Sequence, residues 1–174
     1  MRYMEKGGFK QHELMRLTLS LSLLLLFCFW LTNFAMYFTH MGLNPQTVVT
    51  YYCGSDDGFQ VAKSFAGLAE VSHFHFAIMA IVILMLTHLV IFTPWKKQVK
   101  TGIIIIAFAS AFFQEASSWL VRFIDPAFAW LKVLSFVSLQ AAMAVLMVSL
   151  GAYLWFWQKS HPDKNIDRLE NQSG

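Results

Sequence analysis

His40, Glu70, His73, His75, Glu115, Arg122 and Lys132 lie within or at the ends of long apolar stretches, where an ionisable group is costly and usually has a task. These residue types admit three chemistries. Imidazoles from two facing helices hold haem iron and suit electron transfer. Imidazole with carboxylate binds a non-haem metal ion, and Glu70-x-x-His73 is the i, i+3 pair found in carboxylate-bridged dimetal bundles. Alternatively, the groups satisfy one another by hydrogen bonds and form a cofactor-free polar core, or a proton or quinol path.

Spacing restricts the choices. At about 100° per residue, Glu70 and His73 stand about 60° apart on one helix face, whereas His73 and His75 are about 200° apart. The two imidazoles cannot ligate one small ion on an unbroken helix. One is expected to face the bundle centre opposite His40, while the other meets Glu115 or Arg122 in a neighbouring groove. Two bis-imidazole haems would need two histidines on each of two helices, about four turns apart. His88 follows His73 by 15 residues, but the first helix offers only His40; two haems are excluded and one b-type haem remains. His40 and His73 are its expected axial ligands, with His75 as substitute, and Glu115 and Arg122 are the expected propionate or proton-coupling partners. A metal ion would draw instead on His40, His73, His75 and Glu70, although a second Glu-x-x-His is missing. His88, among Leu, Thr and Ile, reads as a residue bonded to a backbone carbonyl or a headgroup. No C-x-x-C-H occurs, so covalent c-type haem is absent. Cys28 in the first span and Cys53 in a loop are too far apart for an expected disulfide.

The elements that must position these groups follow from composition. The chain of 174 residues is 57% hydrophobic and only 13% charged, about half the charged share of a soluble domain. This excludes a soluble globular protein and argues against nucleic-acid binding and soluble catalysis. Four apolar stretches are long enough to cross a bilayer, at about 17–38, 68–93, 101–123 and 127–157. The first is too long for a signal-peptide core, and no small-x-small cleavage site follows it. Pro94 stops the second, Asp125-Pro126 separates the third from the fourth, and the fourth is long enough to require tilt or extension beyond the membrane.

Lys and Arg number four before the first span, three in 95–100 and three after Trp157, against Lys63, Arg122 and Lys132 on the other side. Ten against three places both termini in the cytoplasm. The expected fold is all-α: a polytopic, antiparallel four-helix transmembrane bundle over residues 1–157, with an outer loop at 40–67 and a polar cytoplasmic tail at 158–174. His40, Glu70, His73, His75, Glu115, Arg122 and Lys132 then share the outer half of the membrane, and His88 alone lies towards the cytoplasm. In the loop, Asn44-Pro45 and the run from Gly54 to Gly58 are turn signals; between them 46–52 reads as a short interfacial helix with Tyr51 and Tyr52 at headgroup level. Trp95, Trp119, Trp130, Trp155 and Trp157 fall near span ends, as interfacial anchors do.

From Glu70 onward the chain resembles a group of bacterial four-span membrane proteins with an S-H-x-H second span. The residues that carry the likeness are Val71-Ser72-His73-Phe74-His75-Phe76, Ser117-Ser118-Trp119-Leu120 and Asp125-Pro126-Ala127-Phe128-Ala129-Trp130, with weaker matches at Thr39-His40-x-Gly42-Leu43 and Tyr51-Tyr52-x-Gly54. Larger members carry a periplasmic insertion with a c-type haem motif, and the resemblance implies an outer-leaflet site that serves electron transfer. The expectation is therefore an inner-membrane subunit, multi-pass in a bacterial cytoplasmic membrane, that binds haem b near the periplasmic face. It would relay electrons between quinol or a membrane oxidoreductase and a periplasmic cytochrome. The alternatives are an accessory or assembly subunit of a larger membrane complex with a cofactor-free core, and a non-haem metal site or a metal or proton carrier.

Overall fold

The computed structural model describes residues 13–55 and 59–155. Arg2, Lys6, Lys10, the acidic tip of the loop at 56–58, Trp157 and the tail 158–174 lie outside the described residues, and with them part of the basic count. Among the described residues, five α-helices follow in order: α1 (Glu13–His40), α2 (Pro45–Cys53), α3 (Phe65–Val90), α4 (Lys97–Phe123) and α5 (Ala129–Trp155), the last preceded by a 3-10 turn at Pro126–Phe128. α1, α3, α4 and the turn with α5 are each long and apolar enough to cross a membrane. The four long helices contain 26 to 28 residues, roughly 40 Å each, so each exceeds a hydrocarbon core of about 30 Å.

Local chemistry sets the helix ends. Ser64 Oγ accepts from Gly67 N at 3.1 Å and starts α3 before the apolar run begins. Asn44 Oδ1 accepts from Gln46 N at 3.0 Å, and Pro45 at the first position of α2 loses no helical donor. Asp125 and Pro126 repeat that device before α5, with Asp125 Oδ1 accepting from Ala127 N at 2.7 Å. α2 ends at Gly54, whose φ of +91° only glycine adopts readily; a Cβ there would stand 2.8 Å from Gln60 O.

α5 is the centre of the bundle: 61% of its apolar window is buried, against none for α1. α4 lies closest to it, because Ala107, Ser110, Ala111, Gln114, Ser117 and Ser118 on its buried face are mostly small and let the backbones approach. α3 packs on both, and Ile83, Leu86, Leu146 and Leu150 fill the space between. α1 rests on α5 through a stack of Tyr37 on Phe136 with ring centroids 3.7 Å apart, an edge contact of Phe34 with Phe136, and a bond from Trp30 Nε1 to Gln140 O at 3.2 Å. α2 does not lie loose at an interface. Val48 and Tyr52 are buried with Leu68, Val121, Ala129 and Val133, so α2 plugs one end of the bundle.

Candidate functional site

Two buried polar clusters lie near the end that α2 plugs. The first is built on Glu115, which is 3% exposed. Its Oε1 is 2.8 Å from His75 Nδ1, and its Oε2 accepts from Ser72 Oγ at 3.3 Å. Ser72 Oγ in turn accepts from Trp119 Nε1 at 2.9 Å. Helical spacing assembles the set: Ser72 and His75 share a face of α3 at i, i+3, and Glu115 and Trp119 share one of α4 at i, i+4. His75 closes the cluster towards the outside of the bundle, with its side chain 51% exposed. The indole of Trp119 is therefore bonded across a helix seam as well as lying near a span end.

The second cluster is built on Lys132, also 3% exposed. Its Nζ donates to Gln114 O at 2.6 Å and to Ser118 Oγ at 2.8 Å, and it stands 5.7 Å from the centre of the Tyr52 ring. Ser118 Oγ is 3.0 Å from Tyr52 Oη, and Ser135 Oγ donates to Gln114 Oε1 at 3.2 Å. Burial drives the Tyr52 phenol above its ordinary range, so it stays protonated. Gln114 and Glu115 are consecutive on α4 and about 100° apart, which turns one cluster towards α5 and the other towards α3.

Of the residues that sequence singles out, His75 and Glu115 meet. His40 is exposed at the end of α1, its ring 5.3 Å from that of Tyr51. Glu70 and His73 are exposed on α3, and the His73 ring lies edge to face with that of Phe74, centroids 5.7 Å apart. Arg122 Nε donates to Lys63 O at 2.8 Å, with the guanidinium beside the Phe123 ring. His88 is exposed and lies 5.7 Å from the Phe92 ring. Cys28 and Cys53 are free thiols. Among the described residues no three His, Cys, Asp or Glu side chains gather closely enough to hold a metal ion, so His40, His73, His75 and Glu70 form no such group.

The same geometry bears on a haem. Glu115 directs both carboxylate oxygens into the bundle, and Arg122 commits its Nε to Lys63 O. The space between α1, α2 and α5 at that level holds the Tyr37–Phe136 stack and Tyr52. Imidazole edges that could reach iron lie at the outer surface, on His40, His73 and His75. Ser72, Gln114, Ser118, Ser135 and Tyr52 complete the clusters; Ser72, Ser118 and Tyr52 stand in motifs of the sequence, but none of the five reads from it as a site residue. For the serines the signal is position: one lies three residues from His75, Glu115 and Lys132 in turn.

A family model for a transmembrane helical domain, Aq_1264_TM, matches residues 42–162. No curated protein and no solved structure matches the chain.

Proposed function

The chain belongs to this transmembrane helical domain family, and from that premise we propose that it is a non-catalytic subunit of a larger membrane assembly, held in shape by a sealed polar core. One observation carries the reading. The buried charges are satisfied within the bundle, yet Glu70 and His73 project outward from the first turns of α3 with no hydrogen-bond partner among the described residues. His73 lies eight residues into α3, about 12 Å from its start. A polar side chain facing hydrocarbon at that depth is unfavourable by up to a few kcal/mol. A neighbouring chain with complementary groups removes that cost. The basic residues at the chain termini and in 95–100 support cytoplasmic termini, which puts Glu70 and His73 in the periplasmic leaflet of a bacterial inner membrane.

A photo-crosslinking side chain at position 73 tests this against one at position 81, where Ile81 is 68% exposed. Position 73 should yield one protein adduct of fixed size and fixed ratio, and position 81 lipid adducts. Identical lipid labelling at both positions would overturn the reading.

A second reading rests on two of the exposed imidazoles that have no hydrogen-bond partner among the described residues. His40 and His73 would hold a b-type haem at the surface of the bundle, shared with the neighbouring chain, and the haem would supply one-electron transfer. Protein purified with its partner from haem-replete cells should then show a Soret band that His40→Ala and His73→Ala abolish. Colourless protein with the partner retained removes this reading.

A further inference from the structure

The His75–Glu115 pair has a feature that a sealed core does not need. Nδ1 of His75 is taken by the buried carboxylate at 2.8 Å, while the half-exposed ring turns its other edge out of the bundle. Nε2 has no partner among the described residues. The carboxylate fixes the ring orientation, as it does wherever an imidazole is held ready for a ligand on its second nitrogen.

Depth and surroundings narrow the ligand. His75 is the eleventh residue of the 26-residue α3. With the helix centred in the bilayer, it lies about 10 Å inside the hydrocarbon boundary. Water and phospholipid headgroups are scarce there. A ligand that brings a hydrogen-bonding oxygen to this level must be dissolved in the membrane. The seam between α3 and α4 is aromatic on both sides of the pair. Towards the membrane centre, Phe76 and Phe112 lie with ring centroids 6.5 Å apart, 43% and 57% exposed. Towards the loop end, Trp119 contacts Phe65 and Phe123 at 5.1 and 5.7 Å. A flat ring between two aromatic pairs, with an oxygen bonded to an imidazole, matches both the polar and the apolar character of this seam. An acyl ester offers the oxygen but neither the ring nor the depth.

We infer that the α3–α4 seam at His75 binds the head group of a membrane-dissolved quinone or quinol, with His75 Nε2 bonded to a ring oxygen and the ring lying against the Phe76–Phe112 pair. The full chain in nanodiscs, reacted with an azido-substituted short-chain ubiquinone analogue and mapped by mass spectrometry, tests it. Label should concentrate on peptides from 65–76 and 112–123 and be displaced by unlabelled decylubiquinone. It should fall at least tenfold in His75→Ala and several-fold in Phe112→Ala, and hold in His88→Ala. Phe112 faces lipid, so Phe112→Ala keeps the bundle and reports on the site if His75→Ala misfolds. Label spread over the helices in proportion to exposure, or unchanged in both variants, overturns the inference. A second arm follows the His75 ring 15N signals. A response to decylubiquinone in both ester- and ether-linked lipid supports the quinone; a response to the change from ether to ester lipid without quinone assigns the site to phospholipid carbonyls and overturns it.

Discussion

Lys132 and Glu115 are the buried side chains of opposite charge among the described residues, and each has a different set of hydrogen-bond partners. Removing one leaves the other without a buried opposite charge among the described residues. Glu115→Ala should cost about 3–5 kcal/mol, the range for an uncompensated buried charge. Lys132→Met alone should cost a similar amount, while the double substitution should recover much of the loss because no charge is left unpaired. Thermal unfolding of the four proteins in detergent gives the coupling; simple additivity would mean that the charges do not depend on each other. Tyr52 supplies a pH-dependent term. Its phenol is raised above the ordinary value of 10.0 by burial, so the unfolded chain releases that proton first as pH rises. The stabilising contribution is complete below pH about 10 and is lost progressively above it. Stability measured from pH 8 to 11 should fall at the alkaline end, and Tyr52→Phe should flatten that fall while lowering stability at pH 8 by about 1 kcal/mol for the lost bond to Ser118.

At the scale of helices, α1 is the least secured element. Tyr37 is its one buried residue among those described, and its hold on α5 centres on Phe136. Phe136→Ala removes the ring that Phe34, Tyr37 and Phe38 share, a loss of about 3–5 kcal/mol if the gap stays open. Because α3, α4 and α5 pack without that ring, the damage should be local. Hydrogen exchange should quicken over residues 30–40 and stay slow over 107–118 and 139–147; uniform quickening would show that α1 is integral to the core. This ranking of helices is not legible in the sequence. Long apolar runs announce all four spans, and Asn44-Pro45 and Asp125-Pro126 announce α2 and the start of α5, since hydropathy and capping are local properties. Which helix is central depends on small residues facing one another across α4 and α5, a tertiary match. Tyr52 makes the same point: a tyrosine near a span end suits a headgroup, and only the fold of α2 over the bundle end turns it inward to Ser118. That one imidazole should meet Glu115 or Arg122 is legible because helical angles separate His73 from His75; the choice of His75 and of Glu115 required the helix rotation.

For the molecule as a whole, the arrangement gives the bundle two unlike ends. Connections 41–55, 59–64 and 124–128 lie at one, beside both polar clusters, and 91–96 lies at the other, where Lys96 precedes α4 and Lys97 and Lys100 stand in its first turn. Lysines at one end and a satisfied polar layer at the other give a direction to an otherwise nearly uniform apolar body, and the positive-inside rule converts that into an orientation. Phe59, 93% exposed in the long connection, and the exposed Lys97 at the opposite end mark the two sides. In a background with Cys28→Ser and Cys53→Ser, Phe59→Cys should react with a membrane-impermeant maleimide in intact spheroplasts, and Lys97→Cys only after lysis. The reverse pattern would place Glu70, His73 and His75 in the cytoplasmic leaflet and move any partner or quinone contact to that side. The orientation therefore decides which face of the membrane the exposed imidazoles serve, and it can be measured without knowing what they bind.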